Sequence, residues 1–237
     1  FRLFGKNRIK YKLSKKYFKF SGKFDVKIIR KTEELKNWVS LEQEQGRRIG
    51  LVPTMGSVHS GHISLVDLII GKVDSIVATI FVNPLQFSPN EDFSKYPRDE
   101  IGDCALFKAS GVDILFIPDQ REIYRSNHST IIDVGRLGKL LEGEFRPGFF
   151  NGVATVVAKL LVLIQPYIAV FGEKDYQQLC VIKQMVIDIG LPTKILGAKT
   201  VREADGLAIS SRNCYLSVKE RECAPELYKA ICAIADK

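Results

Sequence analysis

The sequence predicts an α/β fold: a parallel sheet covered by helices on both faces, followed by a small C-terminal domain. Short apolar, β-branched runs alternate with segments of helical spacing from about residue 26 to residue 199. Gly46 and Gly190 stand where two of the helical patterns stop. The last 40 residues read as the start of a second unit, so the expected divisions are a basic extension at 1–24, a main domain at 25–197 and a small domain at 198–237.

Taken in order, Lys27-Ile28-Ile29 is a short strand, and the amphipathic helix after it has Thr32 as N-cap and Gly46 as C-cap. The run 47–54 is a buried strand ending after Pro53, and 61–71 has helical spacing. Residues 74–83 form a β-branched strand, followed by a polar loop, a helix near 99–109 and a strand at 112–118. Thr130-Ile131-Ile132-Asp133-Val134 is a further strand candidate. A helix at 151–165, a strand at 167–172, a helix at 174–190 and a strand at 193–199 complete the alternation. Ser217 caps a final helical pattern that contains Pro225.

Composition narrows the function classes. The 46% hydrophobic and 26% charged content is ordinary for a globular protein, and no apolar run approaches the roughly 18 residues of a membrane span. The five cysteines form no C-x-x-C pair, which argues against a disulfide framework or zinc site and for a reducing compartment. Of the 35 Lys and Arg, nine lie in residues 1–23 with no acid among them, leaving 26 basic against 27 acidic side chains in the other 214 residues. Nucleic acid is therefore not expected as a partner for the body of the chain; only the arm is basic.

The chemistry concentrates in five stretches. In Pro53–Val66, "PTMGSVHSGHISLV", two of the three histidines flank Gly61 where a strand gives way to a helix. Helix-start amides and the helix dipole favour an anion there, glycines let a ligand approach, and His59 and His62 can point at one place. No third ligand stands at metal spacing, so no metal site is expected. "FVNPLQF" supplies Asn83 and Gln86, neutral groups that both donate and accept. "LEGEFRPGFFNGV" offers Arg146 as an anion clamp. "FGEKDYQQL" places Gly172, Lys174 and Asp175 at a strand-to-helix turn with Gln178 one turn on, and "VREADGLAISSRN" carries Ser210, Ser211 and Arg212. All five are expected at strand ends, where open parallel sheets bind ligands.

These motifs, with "NGVATVVAKL", occur in the same order as in the pantothenate synthetase (pantoate–β-alanine ligase) family, which residues 26–237 resemble. The resemblance implies a Rossmann-like nucleotidyltransferase domain with a small C-terminal lid, Mg-ATP as cofactor, pantoate and β-alanine as substrates, a homodimer and a cytoplasmic location. It implies a pantoyl adenylate, formed with release of pyrophosphate and consumed by β-alanine with release of AMP. Residue by residue, it assigns Met55, Gly56, His59, Gly61 and His62 to the ATP loop, with His62 as the catalytic histidine. Gly172, Glu173, Lys174, Asp175 and Val201 become ATP contacts, and Ile209, Ser210, Ser211 and Arg212 the mobile phosphate loop. Gln86 and Gln178 hold pantoate, Gln86 also lies near β-alanine, and Asn83 and Arg146 line the pocket. His59, His62, Lys174, Ser210, Ser211 and Arg212 are the expected donors to the charge building at phosphorus.

Three departures stand out, the first being that the basic arm lies outside the resemblance. Phe149 occupies a position where the family usually has histidine, which predicts weakened ATP handling and a faster Phe149→His variant. The second domain also looks shorter than the family's. The alternatives are another H-x-G-H nucleotidyltransferase, acting on a phosphorylated acceptor, and a degenerate homologue without full activity.

Overall fold

The computed structural model describes residues 26–89 and 91–235, so the basic extension expected at 1–24 lies outside the described residues. Six strands form one all-parallel sheet: β1 (Lys27–Ile29), β2 (Ile49–Thr54), β3 (Ser75–Ile80), β4 (Ile114–Phe116), β5 (Ile168–Gly172) and β6 (Lys194–Ala198), in the order β1-β4-β3-β2-β5-β6. Neighbouring side chains alternate between two cores, as a pleated sheet covered on both faces requires. Leu51, Val77, Phe116 and Phe171 face α1 (Thr32–Glu44), α6 (Phe149–Ile164) and α7 (Tyr176–Asp188). Val52, Ala78, Leu115 and Val170 face α2 (Ser60–Ile69) and α3 (Glu100–Ala109). The α/β expectation therefore holds.

From β2 the chain steps through β3 to β4 in one direction, whereas β5 and β6 lie on the other side of β2. The order reverses between β2 and β5, so the carboxyl ends of these two strands flank a ready-made crevice.

Five local expectations change. Gln45 takes the C-cap position of α1, with Gly46 one residue beyond at φ +69°. Lys31 takes the N-cap position of α1, because the Thr32 amide and hydroxyl both donate to Glu122, which follows β4. Glu122 belongs to the short helix α4 (Gln120–Ile123). The segment 130–134 forms no strand. The Ile132 amide donates to the Thr155 hydroxyl and the Val134 amide to the Asn151 side chain, so α6 takes up the donors that a sheet neighbour would need. α6 itself begins two residues earlier than the sequence suggests, after the short helix α5 (Glu142–Phe145) and Gly148 at φ +83°. Pro225 divides the final helical pattern into α8 (Val218–Cys223) and α9 (Glu226–Ala235), and Ser217 caps α8 in a capping box with Glu220.

Candidate active site

The crevice between β2 and β5 opens into a cleft lined by 15 of the 18 residues singled out from the sequence. Its first wall starts at the end of β2. There the Thr54 hydroxyl donates to the Thr79 carbonyl at 2.6 Å and accepts from the Gly56 amide at 3.2 Å. The chain then turns through Gly56 (φ +85°) and Ser57 (φ +51°). Ser57 holds this unfavourable conformation because its amide and that of Val58 donate to the two carboxylate oxygens of Asp103, at 2.8 and 2.6 Å. A Cβ on Gly56 would stand 3.0 Å from Asp103 Oδ2, so the glycine admits the internal carboxylate and does not itself line the cleft.

Asp103 is a residue that the motif reading missed. It sits four positions before Phe107 on α3 and both are buried, so its helical phase marks an acid on an apolar face.

Beyond this loop the His59 and His62 rings lie 4.0 Å apart at the start of α2. A Cβ on Gly61 would fall 2.9 Å from His59 Cε1, so the glycine between them makes room for the imidazole. The Nδ1 atom of His62 accepts from the His59 amide at 3.2 Å, which puts its proton on Nε2. Burial, reinforced by Lys174, pushes His59 down to about 4. Burial, then His59 and Lys174, pushes His62 down to about 3. Both imidazoles are therefore neutral at pH 7 and serve as hydrogen-bonding groups, not cations. Among the described residues His59 Nδ1 is buried without a hydrogen-bond partner.

The floor is apolar: Val153, Val156, Val157 and Leu160 from α6, with Phe81 and Phe171. These valines were legible as helix but not as site. Two glutamines, Gln86 and Gln178, line the same cleft with Met55 and Asn83. Gln86 Nε2 lies 3.0 Å from the Met55 sulfur, and its Oε1 accepts from Asn83 Nδ2 at 3.0 Å.

The opposite wall carries the charged donors. Gly172, Lys174 and Asp175 follow β5, and Val201, Ile209, Ser210, Ser211 and Arg212 come from the segment after β6. Lys174 Nζ donates to Asp175 at 3.2 Å. The Ser211 hydroxyl donates to the Ser57 carbonyl at 3.0 Å, which joins the two walls. Arg212 forks onto Asp92 at 3.1 Å through both Nε and Nη2.

Glu173 and Arg146 do not line the cleft. The Glu173 side chain packs beside Gly197 of β6, whose Cβ would meet it at 3.1 Å. Arg146 follows α5 and not a strand. It donates to Glu91 at 2.6 and 2.7 Å, to Glu142 at 2.8 Å and to the Gln86 carbonyl at 3.3 Å. Phe149 places its ring 3.7 Å from that guanidinium, also outside the cleft. These two residues brace the Gln86 turn from behind, and the Arg146 hydrogen bonds hold the Glu91 carboxyl below the usual range.

Residues 27–237 match the family model described as pantoate-beta-alanine ligase. The pantothenate synthetase of Rhodospirillum rubrum is 52% identical over 204 residues, which span 86% of this chain and 72% of that protein. That of Aquifex aeolicus is 49% identical over 203 residues, with the same shares of the two chains. The crystal structure of pantothenate synthetase from Thermus thermophilus superposes with a TM-score of 0.85 at 48% identity, covering 89% of this chain and 75% of that one. A Francisella tularensis pantoate-beta-alanine ligase, complexed with an ATP species and β-alanine, has a TM-score of 0.80 at 38% identity over 86% of this chain and 78% of its own. With the cleft at the reversal of strand order and the motifs around it, these matches show that the chain belongs to the pantoate-beta-alanine ligase family of carbon–nitrogen ligases.

Proposed function

We propose that the chain joins pantoate to β-alanine at the expense of ATP by way of a pantoyl adenylate, in the cleft between β2 and β5. The observation that carries this reading is the division of that cleft. The division is one of chemistry: the same cleft is lined by glutamine amides and the valines of α6, and by imidazole, ammonium, hydroxyl and guanidinium donors. Pantoate is a carboxylate with two hydroxyls and a geminal dimethyl group. The amides of Gln86 and Gln178 suit its oxygens, and Val153, Val156, Val157 and Leu160 suit its methyls.

In the first step a pantoate carboxylate oxygen attacks the α-phosphorus, the bond to the β-phosphate bridge breaks, and pyrophosphate leaves. The protein's task is alignment and charge stabilisation, with no covalent intermediate on the enzyme. His62 donates from Nε2 as a neutral imidazole, so it gives a hydrogen bond without having to be charged first. Lys174, Ser210, Ser211 and Arg212 supply the remaining donors. In the second step the free amine of β-alanine attacks the acyl carbon, AMP leaves with the bonding pair of the acyl–oxygen bond, and the amine gives up a proton.

Magnesium enters with ATP as the substrate complex. Among the described residues no group of three or more His, Cys, Asp or Glu could hold a metal. Asp175 is, among the described residues, the acid that lines the cleft, a donor set that suits a cation carried mainly by phosphates and water. Asp175 would take one coordination position, and the ion would offset phosphate charge.

The segment from Lys199 onward acts as the lid of this site, a role supported by its supply of Ile209–Arg212 to the cleft. Family membership supports a homodimer working in the cytoplasm. Among the described residues no helix is long and apolar enough to cross a membrane.

The test is pyrophosphate release from Mg-ATP on the 237-residue chain, with each acceptor in turn. Release with pantoate, followed by AMP and pantothenate when β-alanine is added, is the expected result. Release only with a phosphorylated acceptor would replace pantoate with another substrate class, and no turnover with either would favour a degenerate homologue.

A further inference from the structure

We propose that Tyr124 is a positioning residue for the acyl substrate: it anchors Asn83, and Asn83 fixes which way the Gln86 amide faces. The inference rests on the reading above that Gln86 contacts pantoate.

Asn83 is 1% exposed and every polar position of its side chain is used inside the protein. Its Oδ1 accepts from the Tyr124 hydroxyl at 2.8 Å and from the Leu85 amide at 3.3 Å. Its Nδ2 donates to Gln86 Oε1 at 3.0 Å and to the Gly152 carbonyl at 3.1 Å. Two donors and two acceptors exhaust an asparagine amide, so none is left for a ligand. Asn83 therefore reaches substrate only through Gln86, although it borders the cleft.

The direction of the relay comes from backbone groups that have only one polarity. The Gly152 carbonyl can only accept and the Leu85 amide can only donate, so a flipped Asn83 would face both with the wrong atom. Gly152 is held in place because a Cβ there would stand 2.1 Å from the Leu85 carbonyl oxygen; α6 and the Pro84–Gln86 turn interlock only at glycine. With Nδ2 turned toward it, Gln86 spends its acceptor on Asn83; one amide hydrogen faces the Met55 sulfur at 3.0 Å and the other is left for the cleft.

Gln86 thus offers a donor, which suits carboxylate or hydroxyl oxygens and not an ammonium. The relay suits pantoate's hydroxyl and carboxylate oxygens and excludes the ammonium of β-alanine as its partner. Tyr124 sits behind the relay, 8% exposed, with its phenol shifted upward by burial and so protonated at all working pH values. Among the residues lining the active cleft it does not appear.

The experiment is steady-state kinetics of Tyr124→Phe, which deletes one oxygen and keeps the ring. The pantoate KM is expected to rise about tenfold, with the KM values for ATP and β-alanine within about twofold of wild type, since one buried hydrogen bond is lost next to one subsite. An unchanged pantoate KM overturns the proposal. So does a parallel rise of all three KM values with a lowered melting temperature, the signature of a merely structural tyrosine.

A second arm measures pantoate binding by calorimetry in the presence of a non-hydrolysable ATP analogue, with Tyr124→Phe placed in wild-type and in Gln86→Ala backgrounds. If Tyr124 acts through Gln86, its effect disappears in the second background; an undiminished, additive effect overturns the relay. Wild-type protein that shows no pantoate-dependent turnover sinks the functional reading itself, a result distinct from either failure of Tyr124.

Discussion

On the sheet side of the cleft, Asp103 is 3% exposed and receives two backbone amides, whereas across the cleft Arg212 holds Asp92 with 45% of its side chain exposed. The contrast extends to whole elements. α2, α3 and α6 bury apolar faces against the sheet, while α8 and α9 bury no residue, and Leu227, Ile231 and Ile234 of α9 are exposed. The first wall is held by these buried internal contacts. The wall that supplies Ser211 and Arg212 is tied down by surface pairs such as Arg221–Asp205 at 2.6 Å and by Arg202 stacked 3.6 Å over Tyr228. Stability should therefore reside in the first wall, with ATP-dependent rearrangement in the second.

Asp103→Ala attacks the first wall most directly. It strips the Ser57 and Val58 amides of their acceptor while Ser57 stays at positive φ. A loss of about 3 kcal/mol in urea denaturation is expected, together with a large rise in the KM for ATP. A loss below about 1 kcal/mol would mean that this wall is not prebuilt by its internal carboxylate.

The histidines sharpen the same contrast through pH. The folded values near 4 for His59 and near 3 for His62 lie below the roughly 6.5 of an unfolded histidine. As pH falls below about 6.5 the unfolded chain takes up protons first, so the stability these neutral rings retain at pH 7 is lost progressively toward pH 4 and below. Imidazole nitrogen NMR of the ligand-free protein at about pH 5.5 should find both rings neutral; a protonated ring there would show the corner to be wet and open. Gly61→Ala then tests the packing of the pair, because its Cβ would push on His59 from 2.9 Å. Turnover should fall about tenfold with little change in stability, since alanine suits the first turn of α2. Unchanged turnover would remove His59 from the chemistry.

The sheet, the crevice and most of the cleft were legible because their signals are local: short continuous apolar and β-branched runs, glycines at breaks, and clustered donors just past strands. What escaped depends on contacts between distant segments. Asp103 acts on a loop 45 residues away, and Arg146 looks like a clamp until Glu91 and Glu142 are seen to neutralise it. Phe149 could be read from the sequence only as a missing histidine, yet it braces Arg146 and lies outside the cleft. The 130–134 run has strand-like residues, but the side chains of Asn151 and Thr155 offer its amides a different set of partners. In each case tertiary partners overrode a sound local preference.

Asp92→Asn makes the smallest change and probes the second wall alone. It leaves Tyr215 and Arg212 a neutral partner in place of the carboxylate that both now contact. Because Arg212 is half-exposed, the pair contributes below about 1 kcal/mol, and no measurable shift in unfolding is expected. On the proposed reading, in which Arg212 binds the triphosphate, Asp92 competes for the same guanidinium. The KM for ATP should fall about two- to threefold in the variant, and the difference should shrink in roughly 0.5 M salt as screening weakens the competing pair. A rise in that KM would reverse the assignment: Asp92 would then be holding Arg212 in its productive position, and the second wall would be as prebuilt as the first.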